Sequence, residues 1–342
     1  MAKGIEVFFE VNLVANTKIN NYLCNMKGMV LYRGANQDEV LRIAGRAMPY
    51  EEGMNGFIIS GFKGRKLVIL DERMEGNNVW LASNSTDENS TKEGYERVFG
   101  AFHERLTDGT FDKIVLSRRK WFDGEIDILA SFNKACELYK DQTVALISSE
   151  MTGTWLVATP ELLLSMDDKC GSTMALAGTM KEGEGEWSEK NRAEQRVVAD
   201  YIGDTLRKCS ETVMEERPRT VRAGRLLHLR SDFQFITQRH WTNIVQRLHP
   251  TPAVCGMPAK KAFAFINENE GYDREFYSGF FGLATEKSCL LFVTLRCAQI
   301  AQNGYWLYAG GGLMAESNAE SEWKETENKM ETIRRCLVTK RI

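Results

Sequence analysis

Apolar residues come in short runs near the start of the chain and at wider, helical intervals further on. The runs at 29–32, 57–62 and 67–70 are separated by polar and glycine-containing turns and predict short strands. Ser90-Thr91-Lys92-Glu93 then has capping-box spacing, and Tyr95, Val98, Phe99, Phe102 and Leu106 follow at helical intervals, predicting a helix that ends before Asp108-Gly109. Alternation returns at 111–118, with Lys113, Val115 and Ser117 on one face and Ile114, Leu116 and Arg118 on the other. Beyond it the pattern predicts a helix over 126–138, strands over 143–148, 154–158 and 174–179, and a helix over 188–207 with Val197, Val198, Tyr201 and Ile202 as its core stripe. A strand-like run at 224–230, helices over 242–248 and 260–269, and strands at 275–284, 288–297 and 305–309 complete the series, the last three reading as an antiparallel meander. Strand runs broken by a few long helices predict an α+β fold, with large antiparallel sheets packed with helices in one domain.

The bulk properties narrow the function. A chain of 342 residues, 43% apolar and 27% charged, can bury a large core. Its formal charge of -3 leaves no basic excess for a phosphate backbone, so nucleic acid is not expected as a partner. The start, MAKGIEVFFEVNLV, carries an acidic residue inside its apolar run and lacks a small-residue cleavage site, and no run is long enough to span a bilayer, which predicts a cytoplasmic protein away from membranes. Eight cysteines without a CxxC pair or a histidine at zinc spacing read as reduced, mostly buried thiols.

Candidate chemistry centres on 308–329, YAGGGLMAESNAESEWKETENK, which joins an apolar strand, a three-glycine turn and an acidic helix. Gly310, Gly311 and Gly312 leave backbone N–H groups uncovered, as an anion-cradling turn needs, while Glu322 and Glu325 share one helix face. Spacing alone favours a plainer reading, an ordinary loop and acids at a helix N-terminus. Lys113 invites two readings also: a solvent-facing strand start, or a base whose charged form burial against Val115 disfavours. Glu161, after Pro160 at the mouth of a buried-looking strand, is either a solvated carboxylate or a general acid raised by burial. Residues 174–179 are a small-residue strand where backbone can approach a ligand. Glu194 on the helix of 188–207 could meet Glu322 and Glu325 and offer oxygen ligands to a hard cation. The turn HPTPAVCGMP at 249–258 holds half of the six prolines and suits a rigid pocket wall or a stiff structural turn. Arg296, at a strand end, can grip a carboxylate or cover a sheet edge.

Taken in order, DKIVLSR (112–118), TPELLL (159–164), LAGT (176–179), EKNRAEQRVV (189–198), HLRS (228–231), HPTPAVCGMP (249–258), DREFYSGFFG (273–282), FVTLR (292–296) and YAGGGLMAES..ESEWKETENK (308–329) resemble the chorismate-utilising enzymes. That family takes in isochorismate, salicylate, anthranilate and aminodeoxychorismate synthases. The resemblance covers 90–335, leaving 1–88 as a less typical β-rich part, and implies a two-layer α/β sandwich with its active site between sheets and helices. Water-adding members carry a lysine where Lys113 stands, and Ala177 replaces the nucleophilic lysine of aminodeoxychorismate synthases. The resemblance therefore implies an isomerase, isochorismate synthase, in which Lys113 activates water for attack at C2 of chorismate and Glu161 protonates the departing C4 hydroxyl. A salicylate synthase, which goes on to eliminate pyruvate, uses much the same residues, and a non-catalytic chorismate-binding protein is the remaining alternative.

By the same resemblance Mg²⁺ is the cofactor, bound by Glu194 and Glu325 with Glu322 acting through water. Arg296 and Gly310, Gly311 and Gly312 hold the enolpyruvyl side, and Ala177, Gly178, Thr179, His228 and Ala253 complete the substrate contacts. Asn191 stands where the family usually has an acid, which implies weaker Mg²⁺ binding; Gln195 stands where it has histidine, and Gly311 replaces the middle residue of the usual AGAG. No amidotransferase partner is implied, and the chain is expected to be a monomer. Its shortness favours menaquinone over siderophore synthesis.

Overall fold

The computed structural model describes residues 26–75, 79–83, 89–183, 185–224 and 226–340. The N-terminal run read above, 1–14, lies outside them, as does Cys24. The first strands are β1 (Lys27–Arg33), β2 (Leu41–Pro49), β3 (Gly56–Ser60) and β4 (Lys66–Ile69), followed by helix α1 (Lys92–Thr107). Next come β5 (Lys113–Asp123), α2 (Ile128–Leu138), β6 (Thr143–Ser149), β7 (Gly153–Thr159), β8 (Leu162–Asp167), β9 (Cys170–Lys181) and α3 (Glu189–Arg207). The chain continues through β10 (Thr212–Glu215), β11 (Arg219–Ala223), β12 (Leu226–Ile236), α4 (Trp241–Leu248), β13 (Gly256–Met257) and α5 (Ala259–Asn269). It closes with β14 (Phe280–Ala284), β15 (Ser288–Val293), β16 (Cys297–Ile300), β17 (Gly304–Leu313) and α6 (Ala319–Arg334).

All pairings between these strands are antiparallel, and they build two sheets. One runs β13-β5-β17-β16-β7-β6-β1-β2. The other runs β2-β4-β3-β14-β15-β8-β9-β12, with β10 and β11 on the far edge of β12, so β2 belongs to both. The sheets face each other, and alternation assigns the strand residues to layers. On β7, Trp155 and Val157 join Phe57 and Phe281 between the sheets, while Leu156 and Ala158 turn outward to the core under α2 and α6. Helices α3 and α4 cover the outer face of the second sheet, where Val198, Ile202 and Trp241 meet Leu164 and Phe233. Because both faces are covered, strands such as β6 and β17 are buried along their whole length. The expected α+β sandwich of antiparallel sheets and helices is what forms.

Local chemistry sets the helix starts. Thr91 rather than Ser90 caps α1, its hydroxyl accepting the Gly94 N–H at 3.0 Å, and Ser188 caps α3 by accepting from Asn191 N–H. The buried stripe of α3 runs through Glu194, Val198 and Ile202, so a carboxylate occupies a core position.

Two sequence readings are corrected. The strands after residue 275 are not one meander: β14 and β15 pair in the second sheet and β16 and β17 in the first, because the chain changes sheets at 294–296. Apolar alternation reports faces, and it is blind to which sheet a strand joins. Gly310, Gly311 and Gly312 do not form a turn. They are extended, paired with Ser117, Leu116 and Val115 of β5. Their glycine character answers close approach instead, since a Cβ at Gly311 would lie 2.7 Å from Glu322 Oε2 and one at Gly312 would lie 2.6 Å from Lys113 Cε. The strand-like run at 224–230 also extends further, to Ile236. Seven described cysteines are free, and five of them are buried.

Candidate active site

The chain passes between the sheets twice at neighbouring points, and each passage carries a site residue. Glu161 lies on the step from β7 to β8, and Arg296 on the step from β15 to β16, at a left-handed φ of 47°. The two steps are laced together: Val293 N–H donates to Glu161 O at 3.0 Å, and Ala158 N–H donates to Arg296 O at 3.1 Å. A cavity opens beside them. Ala177, Gly178 and Thr179 of β9, His228 of β12, Ala253, and Gly310 and Gly312 of β17 reach it with Glu161, Glu194 and Arg296, so the structure gathers most of the expected substrate residues.

Burial governs the charges here. It pushes the Glu161 carboxyl up to about 7, with Lys113, Lys329 and Arg296 pulling the other way. A carboxylic acid that holds its proton near neutrality can donate it. Burial also pushes His228 down to about 3, and the positive charges of Arg296 and Lys329 add to it. The neutral ring has a defined tautomer. Its Nε2 lies 2.8 Å from Arg296 Nη2, which can only donate, so Nδ1 carries the hydrogen and donates to Gly178 O at 2.8 Å. His228 therefore orients Arg296 and adds no charge. Arg296 Nη1 is buried with no hydrogen-bond partner among the described residues. A buried guanidinium with an open donor on the cavity wall suits an anionic ligand.

Lys113 is wholly buried at the start of β5. It stands behind the cavity wall, against Gly312, with its Nζ 3.1 Å from Glu194 Oε1. Of its two readings the buried one holds, and a carboxylate from α3 faces it besides its apolar neighbours.

The three expected metal carboxylates converge on the glycine stretch of β17, each held by a lysine. Glu194 faces Lys113, Glu325 lies 2.7 Å from Lys329, and Glu322 pairs with Lys190. Among the described residues no three acidic, histidine or cysteine side chains form a ready metal cluster. Burial works to raise Glu325, but Lys329, Lys190 and a hydrogen bond with Thr179 outweigh it and hold the carboxyl below its ordinary range. Glu322 is raised by burial and then by Glu325. Its Oε1 accepts from Ser317 Oγ at 2.8 Å, while its Oε2 is buried, without a partner among the described residues, and turned to Gly311. An unpartnered carboxylate oxygen beside a second carboxylate on α6, both facing the glycines of β17, fits a hard cation with oxygen ligands. Asn191 lies one turn before Glu194 and packs against Gly178. Gln195 faces the other way, its Nε2 donating to Ser231 Oγ at 3.0 Å, so that departure from the family pattern concerns packing on β12.

Sequence reading missed Lys190 and Lys329, and also Tyr277, which lines the cavity. Lys329 had a local signal, since it follows Glu325 by four residues on one helix. The contact of Lys190 with Glu322 joins α3 to α6 across 132 positions and leaves no local trace.

Residues 66–338 match the family described as chorismate binding enzyme, and the chain belongs to that family. It is 28% identical over 271 residues to isochorismate synthase MenF and 33% identical over 196 residues to isochorismate synthase EntC, both from Escherichia coli K12. These alignments cover 72% and 53% of this chain but only 60% and 50% of the relatives' own lengths. The fold is similar to the solved structure of MenF, the menaquinone-specific isochorismate synthase of Escherichia coli, with a TM-score of 0.78, 21% identity, and coverage of 91% of this chain and 89% of that one. Among the described residues no helix is long and apolar enough to cross a membrane.

Proposed function

We propose that the chain converts chorismate to isochorismate. The observation that carries this reading is Glu161, a fully buried carboxyl raised to about 7 on the wall of a cavity with a basic group, Lys113, at its back. Lys113 takes a proton from the water that attacks C2. Glu161 gives its proton to the C4 oxygen as that bond breaks, and water leaves. The double bonds of the ring shift between the two positions, so one water enters for each that departs and no covalent enzyme intermediate forms. Arg296, oriented by His228, holds a substrate carboxylate through its open donor, and the uncharged wall of Ala177, Gly178 and Ala253 excludes bulk water. Mg²⁺ held by Glu194 and Glu325, with Glu322 and Asn191 at one remove, would neutralise the ring carboxylate.

Chromatography of the products separates this activity from its nearest rival: isochorismate alone supports the reading, and salicylate with pyruvate points to a salicylate synthase. Replacing Arg296 with lysine, which cannot meet both His228 Nε2 and a planar carboxylate, is expected to raise KM for chorismate by about tenfold or more, read from initial rates. Unchanged KM would remove Arg296 from the substrate site. Asn191→Asp adds a negative charge one turn from Glu194 and is expected to lower the half-saturating Mg²⁺ concentration by roughly fivefold in an activity titration, because ligand charge tunes such sites.

A further inference from the structure

Glu270 and Arg274 form a bidentate ion pair, with Nε to Oε2 and Nη2 to Oε1 both at 2.6 Å and each side chain about 1% exposed. Burying both charges is a poor route to stability, since apolar residues of similar volume commonly serve as well. The surroundings of the pair show another use. The outer edge of β5 is paired by β13 at Lys113 and Ile114, and Val115 N–H donates to Cys255 O at 2.6 Å. Past that point the ion pair takes the place of a neighbouring strand. Arg274 Nη2 donates to Val115 O at 3.0 Å, and Ser117 N–H donates to Glu270 Oε1 at 2.7 Å, the donor and acceptor that a paired backbone would supply. Arg274 Nη1 also donates to Val254 O at 2.8 Å. Val115 and Val254 both line the cavity, and Lys113 is two residues from Val115 on the same face.

We propose that Glu270 and Arg274 are positioning residues for the reaction: the pair fixes the distance between β5 and the 249–258 loop and so holds Lys113 and the two valine walls in register with the substrate. The proposal rests on the role given to Lys113 under the function above. Neither residue touches the cavity, so their effect runs through β5.

The test is the double variant Glu270→Leu/Arg274→Met, which removes both charges and keeps most of the volume. The expected result is a folded protein whose kcat falls by about tenfold or more, with KM for chorismate changed far less, because small misplacements of catalytic groups cost that much. Amide hydrogen exchange in the peptide covering 111–118 should quicken while peptides from β14 and β15 stay at wild-type rates. Arg274→Lys, which restores one donor, should recover part of the kcat lost in Arg274→Met. If the double variant does not fold, Glu270→Gln keeps the shape and one acceptor, and is expected to show the same two changes in smaller measure. Wild-type kcat and wild-type exchange at 111–118 in a folded variant would overturn the proposal. Absence of turnover in the wild-type protein would defeat the functional reading instead, and the exchange arm would still decide whether the pair holds β5.

Discussion

Lys113→Ala is expected to lower the turnover of chorismate by on the order of a hundredfold or more, the usual worth of a positioned general base. The substitution removes the amine that stands against Gly312 behind the cavity wall, and Glu194 beside it is expected to be committed to the cation. It also leaves a hole at a wholly buried position and strips Glu194 of its partner, so some loss of stability accompanies it. Lys113→Met separates the effects. It fills the space without an amine, and it should lose as much activity as the alanine variant. Initial rates, taken alongside thermal melts, check this, and near-full activity in either variant would mean that another group activates the water.

Glu161→Gln should be nearly as severe, again on the order of a hundredfold in kcat, with KM little changed because the amide keeps the shape of the acid. The pH profile gives a sharper readout. The carboxyl is raised to about 7 in the folded protein, above its ordinary value, so the protonated form that would donate to C4 is present below that pH and is lost as pH rises through it. Activity is therefore expected to fall on the alkaline side with a midpoint near 7, and this limb should vanish from the residual activity of Glu161→Gln. The same shift acts on stability with the same sign: the folded state binds the proton more tightly than the unfolded chain, so this group's contribution is fully present at acid pH and declines as pH rises through about 7.

Much of this site could be read from residue order, for a physical reason. Lys113 starts a strand, Glu161 and Arg296 lie on short steps between strands, and Glu194 sits in the second turn of α3, all beside elements whose periodicity is strong, so their places along the chain follow from local pattern. Faces were legible too: the alternation at 111–118 put Lys113 with Val115 and Ile114 with Leu116, and Ile114 and Leu116 do pack under α1 and α5. Partners were not legible. The pairing of Lys113 with Glu194, of Lys190 with Glu322 and of Arg296 with His228 joins elements far apart in the chain, and each depends on which sheet a strand enters. The glycines show the same limit. Three in a row suggested a turn, yet in an extended strand they leave room for carboxylates arriving from two helices. Local sequence reports conformational freedom, and only the packed neighbours show whether it is used for bending or for close approach.

The most direct test of the central claim is a turnover of chorismate in ¹⁸O-labelled water with Mg²⁺, followed by mass analysis of the product before the reaction can reverse. Attack by water activated at Lys113 predicts isochorismate that carries one ¹⁸O, located at C2. Unlabelled isochorismate would mean that the C4 hydroxyl itself is transferred, and would contradict the roles assigned to both Lys113 and Glu161.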